Sequence, residues 1–307
     1  MMEKIAVYDR CLKRWDSSDE RVKYFCENYD EWLEQLPVEA QEIVLQLLDM
    51  FEYYTQPKVN RFLFELEPKL KESEYFNADT SLYTPLASEK GINNSSDDYL
   101  FAYRHLHGIS KFKIARDLKQ FAETSPEKYS AVENIVIVDD YCGSGESLRK
   151  FLEKRLDLLS GKRVFYIVTY IMEESLDKIQ NISETLGLEI KVIYINKGRK
   201  AFDMECFAQN AEEARALIKS LSKSLNIHKN CRLGKYKSEA LVAFYNDTPN
   251  NDIGVFWYDS DIYFSIFPRE LENTEGLRRP TPRELKEKKK QRNAQNYNSF
   301  VQRVAYD

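Results

Sequence analysis

The segment from Ile135 to Leu148, IVIVDDYCGSGESL, constrains the fold more than any other part of the chain. Four consecutive β-branched apolar residues, Ile135 to Val138, run into two adjacent aspartates, Asp139 and Asp140. An unbroken apolar run of this kind suits a strand buried on both faces, as in a parallel sheet covered by helices on each side. A Gly143-Ser144-Gly145 turn follows, and the pattern behind it, LRKFLEKRLDLL, reads as a helix. In open α/β sheets, ligands bind at the C-terminal ends of the strands. A helix N-terminus at that place offers unpaired N–H groups and the positive end of the helix dipole, which suits an anion. The two glycines permit close approach of the backbone, and Ser144 and Ser147 add hydroxyl donors. One segment thus joins a phosphate cradle to two carboxylates. That combination fits a phosphorylated molecule that also carries hydroxyls or a metal ion.

Three other readings compete for the same residues. A Walker B strand also ends in acidic residues, but it requires a GxxxxGK[ST] loop upstream. Neither Gly161-Lys162 nor Gly234-Lys235 has that glycine spacing or the following Ser/Thr. A nucleophile elbow requires G-x-S-x-G, where this chain has Cys142-Gly143-Ser144-Gly145. The remaining reading is a strand, a glycine turn and a capped helix without a ligand.

The segment resembles the signature of type I phosphoribosyltransferases, in which a buried strand ends in two acidic residues followed by a Thr/Ser-Gly-x-Thr/Ser loop. The resemblance implies that Asp139 and Asp140 are catalytic and hold the ribose hydroxyls of phosphoribosyl pyrophosphate (PRPP). It implies that Gly143, Ser144, Gly145, Glu146 and Ser147 hold the 5′-phosphate, and that Mg²⁺ accompanies the phosphorylated ligand. The departure is Glu146, where the family often has Gly or Lys. A carboxylate there repels phosphate unless its side chain turns away. Ala87, Ser88, Glu89, Lys90 and Gly91 stand where the family places its pyrophosphate loop, although a polar loop between strand and helix needs no function to explain it. Ser95, Ser96 and Arg104 follow as further donors. The turn at Thr248-Pro249-Asn250-Asn251, with Trp257 and Phe267-Pro268-Arg269, is similar to a branch found in bacterial conflict and anti-phage systems, some of them linked to retron reverse transcriptases. Asn246, Asp247, Asn250, Asn251 and Trp257 are the expected base or acceptor pocket, with Phe256 and Trp257 available to stack on a base.

The resemblance covers about residues 80 to 270, and the patterning on either side differs. Residues 1–77 read as an N-terminal helical module. Its helices run from Ser18 to Leu36 and from Val38 to Tyr54, both with apolar residues at three-and-four spacing, and from Pro57 to near Pro68. Residues 78–270 alternate strands and helices, the mark of a parallel sheet. Strands are expected at 81–88, 135–140, 164–172, 188–195, 241–247 and 261–267. Helices are expected at 99–107, 111–121, 175–186 and 210–225. Residues 271–307 form a tail whose Thr281-Pro282-Arg283-Glu284 opens a strongly basic helix. Residues 278–293 form a charge run that is either a solvated face or a contact for nucleic-acid phosphates.

Composition narrows the classes. The 307 residues carry a net charge of −5, so the whole molecule is not a general nucleic-acid binder. The five cysteines are scattered with no C-x-x-C pair, which argues against structural zinc and a disulfide framework. Cys142 beside a helix N-terminus is read as a small loop residue rather than a reactive thiol. His105, His107 and His228 do not have metal-site spacing, so no protein metal site is expected. No apolar run reaches membrane-spanning length, and the expected setting is the cytoplasm. The expected activity is transfer or hydrolysis at C1 of the ribose. The alternative is a non-catalytic subunit that senses PRPP or a nucleotide. Protein partners are expected at the N-terminal helices.

Overall fold

The computed structural model describes residues 4–86 and 94–269. The central strand β3 (Asn134–Cys142) contains the IVIV run, and Ile135, Val136, Ile137 and Val138 are fully buried. Each such side chain contributes up to ~1.5–3 kcal/mol when removed from water. Burial on both faces explains the unbroken apolar run, because neither side of this strand meets solvent.

Along the chain, α1 (Lys4–Arg14), α2 (Glu20–Glu34) and α3 (Val38–Met50) precede a short strand, β1 (Glu52–Tyr54). Then come α4 (Gln56–Lys71), β2 (Ser81–Pro85), α5 (Ser95–His107), α6 (Leu118–Thr124) and α7 (Pro126–Ser130). After β3 follow α8 (Glu146–Glu153), α9 (Leu156–Leu159), β4 (Arg163–Met172), α10 (Glu173–Leu186), β5 (Ile190–Gly198), α11 (Ala211–Ser224) and β6 (Val242–Phe244). Strands β2, β3, β4 and β5 form one parallel sheet in that order. Helices α4 and α5 pack on one face, and the helices from α6 to α10 pack on the other. The α/β architecture with a parallel sheet and N-terminal helices is therefore as the sequence indicates.

The boundary expected at residue 77 is not a seam in the packing. Helices α1 to α3 share one apolar core with α11 and with residues from Ala201 to Phe267. Helix α4 instead covers the central sheet. Strand β1 pairs in parallel with β6, so Glu52, Tyr53 and Tyr54 lie beside Val242, Ala243 and Phe244. This pairing also explains why the helix expected to reach Tyr54 stops at Met50. Arg21 on α2 adds a polar tie, donating to Phe244 O at 2.6 Å, Thr248 Oγ1 at 2.7 Å and Pro268 O at 2.9 Å.

Other expectations need correction. Residues 261–267 form no strand; Tyr263 to Phe267 are buried as irregular chain in the core shared with α2. The helix expected at 111–121 is a single 3₁₀ turn at Lys111–Lys113 followed by α6, whose N-cap is Asp117. The basic tail and its expected nucleic-acid contact at 278–293 lie outside the described residues. So does the expected pyrophosphate loop, Ala87 to Gly91. No helix among the described residues is long and apolar enough to cross a membrane.

Candidate functional site

The C-terminal end of β3 lies where the chain turns into α8. Gly145 has φ +72°, the left-handed region where a side chain is strained, and it caps α8. The first-turn amides of α8 have no partner within the helix. The Ser144 and Ser147 hydroxyls have no hydrogen-bond partner among the described residues. These groups border a cleft of about 100 Å³ that Asp139 and Tyr166 also line. The space suits one phosphate group rather than a whole nucleotide.

The two aspartates are adjacent and their carboxylates interact, but they are not equally buried. Asp139 is 3% exposed. Its carboxylate accepts from Ser96 Oγ at 2.5 Å, Tyr166 OH at 2.6 Å and the Asp140 amide at 3.1 Å. Burial, and next the neighbouring Asp140 charge, push its pKa well above the usual carboxylate range despite the two hydroxyl donors. Asp140 is half-buried; burial raises the pKa of nearby Tyr99 and Tyr245, and the Asp140 charge adds to both shifts. Tyr99 OH is buried without a partner among the described residues.

Asp139 therefore lowers stability as pH rises. Between its unfolded and folded pKa values the native state holds the extra proton, so stability is greatest in acid and falls as pH climbs through the folded value. Asp139→Asn removes this dependence. Its melting temperature relative to wild type should rise from pH 4 to pH 8 in thermal melts, and a constant or shrinking difference would count against the buried charge.

Glu146, the departure from the family pattern, is turned along α8. Arg149 grips it through Nε at 2.9 Å and Nη2 at 2.5 Å, and Lys150 lies 3.8 Å away. The Arg149 hydrogen bonds hold its pKa below the usual range. Its charge is thus compensated within the helix.

Asn251 fixes the back of the loop. A Cβ on Gly143 would overlap the Asn251 side chain, and one on Gly234 would overlap the Asn251 carbonyl. The Asn251 amide nitrogen donates to Ser238 Oγ at 2.6 Å and Lys235 O at 3.2 Å. The turn expected as an acceptor pocket therefore braces the Gly143–Ser147 loop.

The expected pocket residues are not brought together. Asn250 lines the cleft beside Ser144 and Ser147. Asn246 is exposed, and Asp247 pairs with Arg269 at 3.0 Å. Trp257 is 1% exposed and donates through Nε1 to Asp252 O, while Phe256 is fully buried; neither ring is open to stack on a base. Ser96 binds Asp139 rather than a phosphate. Arg104 lies near the far end of α5, where its Nε donates to Ile109 O. Burial pushes the Cys142 thiol up to about 12, so it is not a ready nucleophile. Among the described residues, no three or more His, Cys, Asp or Glu side chains converge on a metal position.

Sequence reasoning missed Tyr166 and the Lys235-Tyr236 pair. Tyr166 lies inside an apolar strand pattern that gave no sign of its hydroxyl. Lys235 and Tyr236 border the same cleft; the signal was an aromatic between two lysines after a glycine.

A family model described as PRTase-CE matches residues 29–269. The chain belongs to this family, the conflict-system branch of the phosphoribosyltransferases. No curated protein matches it, and no solved structure does. The family implies a phosphoribosyltransferase-like activity.

Proposed function

We propose that this chain binds PRPP or a closely related ribose phosphate and transfers or hydrolyses the ribosyl group at C1, in the service of anti-phage defence. The observation that carries the reading is the phosphate-sized cleft at the α8 N-terminus, with unpartnered Ser144 and Ser147 hydroxyls and Asp139 in its wall. In this reading the loop Gly143–Ser147 holds the 5′-phosphate. Asp140, the more accessible carboxylate, takes the ribose hydroxyls. Asp139 orients Ser96, Tyr166 and the Asp140 amide.

Breaking the C1–O bond builds positive charge on the ribose. Preorganised carboxylates favour that charge, and fixing phosphate and ribose supplies positioning, which reaches ~7–11 kcal/mol in well-aligned systems. Mg²⁺ fits as an ion carried mainly by ligand phosphate oxygens, because the described residues build no cage of their own. When bound, it would neutralise the departing pyrophosphate. Partner proteins would dock through the N-terminal helices.

One observation favours a sensing subunit instead. Both Asp139 oxygens already accept protein hydroxyls, and burial favours the neutral acid. Pyrophosphate release from PRPP with Mg²⁺ separates the two readings. The enzyme reading expects release by wild type and at least ~100-fold less by Asp139→Asn/Asp140→Asn, since oriented charge groups of this kind contribute 10²–10³-fold. Binding without release would leave the sensor.

A further inference from the structure

A second cleft, about 660 Å³, opens beside the phosphate loop and shares Lys235, Tyr236 and Asn250 with the first. Five cationic side chains line it: Lys219 from α11, Lys229 and Arg232 from the following turn, and Lys235 and Lys237 from the next loop. No carboxylate belongs to its lining among the described residues. The four lysines are exposed and have no ion-pair partner among the described residues. Five like charges around one hollow repel one another, and they stand out in a chain of net charge −5. An anion with several charges relieves that repulsion.

The mouth between the two clefts carries an aromatic ring. Tyr236 is 52% exposed and sits at φ +61°, with Lys237 after it at φ +57°. Left-handed backbone at two residues with side chains costs about 1 kcal/mol or more each. It turns Tyr236 outward between Lys235 and Lys237, with Lys235 Nζ 5.2 Å from the ring centroid. An exposed ring among lysines is what stacking of a base with neutralisation of its phosphates requires. The volume takes one or two nucleotides, not the single phosphate of the smaller cleft.

We propose that this basic cleft binds a phosphorylated nucleotide, with the base on Tyr236 and the phosphates among Lys219, Lys229, Arg232 and Lys237. Its further role as the seat of the ribosyl acceptor rests on the phosphoribosyl reading above; the binding site itself does not.

The test is fluorescence anisotropy on the full chain with two probes: a labelled oligothymidylate of about ten nucleotides, within the usual span of single-strand sites, and a fluorescent ATP analogue. Four neutralised phosphates give a salt slope of about −2.8 for a single strand, so oligonucleotide affinity should fall roughly 50-fold between 50 and 200 mM salt. Lys219→Glu/Lys229→Glu should weaken binding at least tenfold and flatten that slope. Tyr236→Ala should weaken it several-fold and leave the slope unchanged. If only the ATP analogue binds, with the same response to the variants, the site serves free nucleotides. Failure of both probes at 50 mM salt overturns the proposal. Binding indifferent to both variants also overturns it, because the basic segment 278–293 would then hold the probe. Neither arm uses PRPP, so failure of the phosphoribosyl reading leaves this result standing. A thermal melting temperature of Lys219→Glu/Lys229→Glu unchanged from wild type would show that the charge reversal leaves the fold intact.

Discussion

Alanine at Gly234 is expected to lower stability by about 3 kcal/mol or more and to distort the cleft at Gly143–Ser147. Gly234 has φ +75° and ψ 158°, a combination essentially confined to glycine. An added Cβ would also overlap the Asn251 carbonyl, which is backbone and cannot swing aside. Relief requires Asn251 to move, yet its side chain packs on Gly143 and its amide holds Ser238 and Lys235. The damage therefore travels from a loop at 234 to the loop at 143–147. Gly187→Ala is the control. Gly187 also has positive φ, at +62°, but an added Cβ there meets nothing within 4 Å. Only the left-handed backbone penalty of ~1 kcal/mol applies. Denaturant unfolding of the two variants measures the difference. Equal losses would mean that the Gly234–Asn251 contact does not hold the loop.

Arg21→Met is expected to destabilise by about 3 kcal/mol or more, and to do so from a helix remote in sequence from the site. The guanidinium donates to Phe244 O, Thr248 Oγ1 and Pro268 O. Methionine keeps the stem and removes every donor. Leaving a buried acceptor unpaired costs ~1–3 kcal/mol. Thr248 is fully buried, and its hydroxyl is also the donor to Phe267 O at 2.9 Å. The loss frees the end of β6 and the Thr248–Asn251 turn together, so PRPP affinity should fall along with stability. A loss under 1 kcal/mol, measured by denaturant unfolding, would show that water replaces these bonds without penalty.

The centre of the sheet was legible because β3 and β4 are apolar and buried on both faces, a pattern that local sequence alone displays. β3 and β4 begin and end within two residues of their expected positions. The N-terminal helices were legible in the same way, through Val22, Phe25, Tyr29 and Trp32 on one face of α2. What they pack against was not. The pairing of Glu52–Tyr54 with Val242–Phe244 joins segments about 190 residues apart, and no local pattern encodes it. Tyr263–Phe267 read as a strand because its residues are apolar, but burial against α2 needs no ladder.

The candidate site divides in a similar manner. The strand, aspartates and glycine loop were legible as a unit because they are contiguous. Which way each side chain points was not. Ser96 binds Asp139 because α5 starts beside the end of β3, a tertiary fact. Trp257 looked like a stacking residue because it follows a turn expected at the ligand edge of the sheet, yet the core absorbs it. Glu146 looked hostile to phosphate until Arg149, three residues on, is seen to hold it; that spacing places both on one helix face.

In the proposed function, the loop after β3, with Asp139 and Asp140, holds PRPP. Calorimetric titration of PRPP with Mg²⁺ into wild type and into Asp139→Asn/Asp140→Asn tests it most directly. Saturable binding by wild type that the double substitution weakens at least ~100-fold is the predicted result, consistent with loss of two charge-assisted contacts at ~1.5–3 kcal/mol each. No heat with wild type, or the same affinity in both proteins, would contradict it.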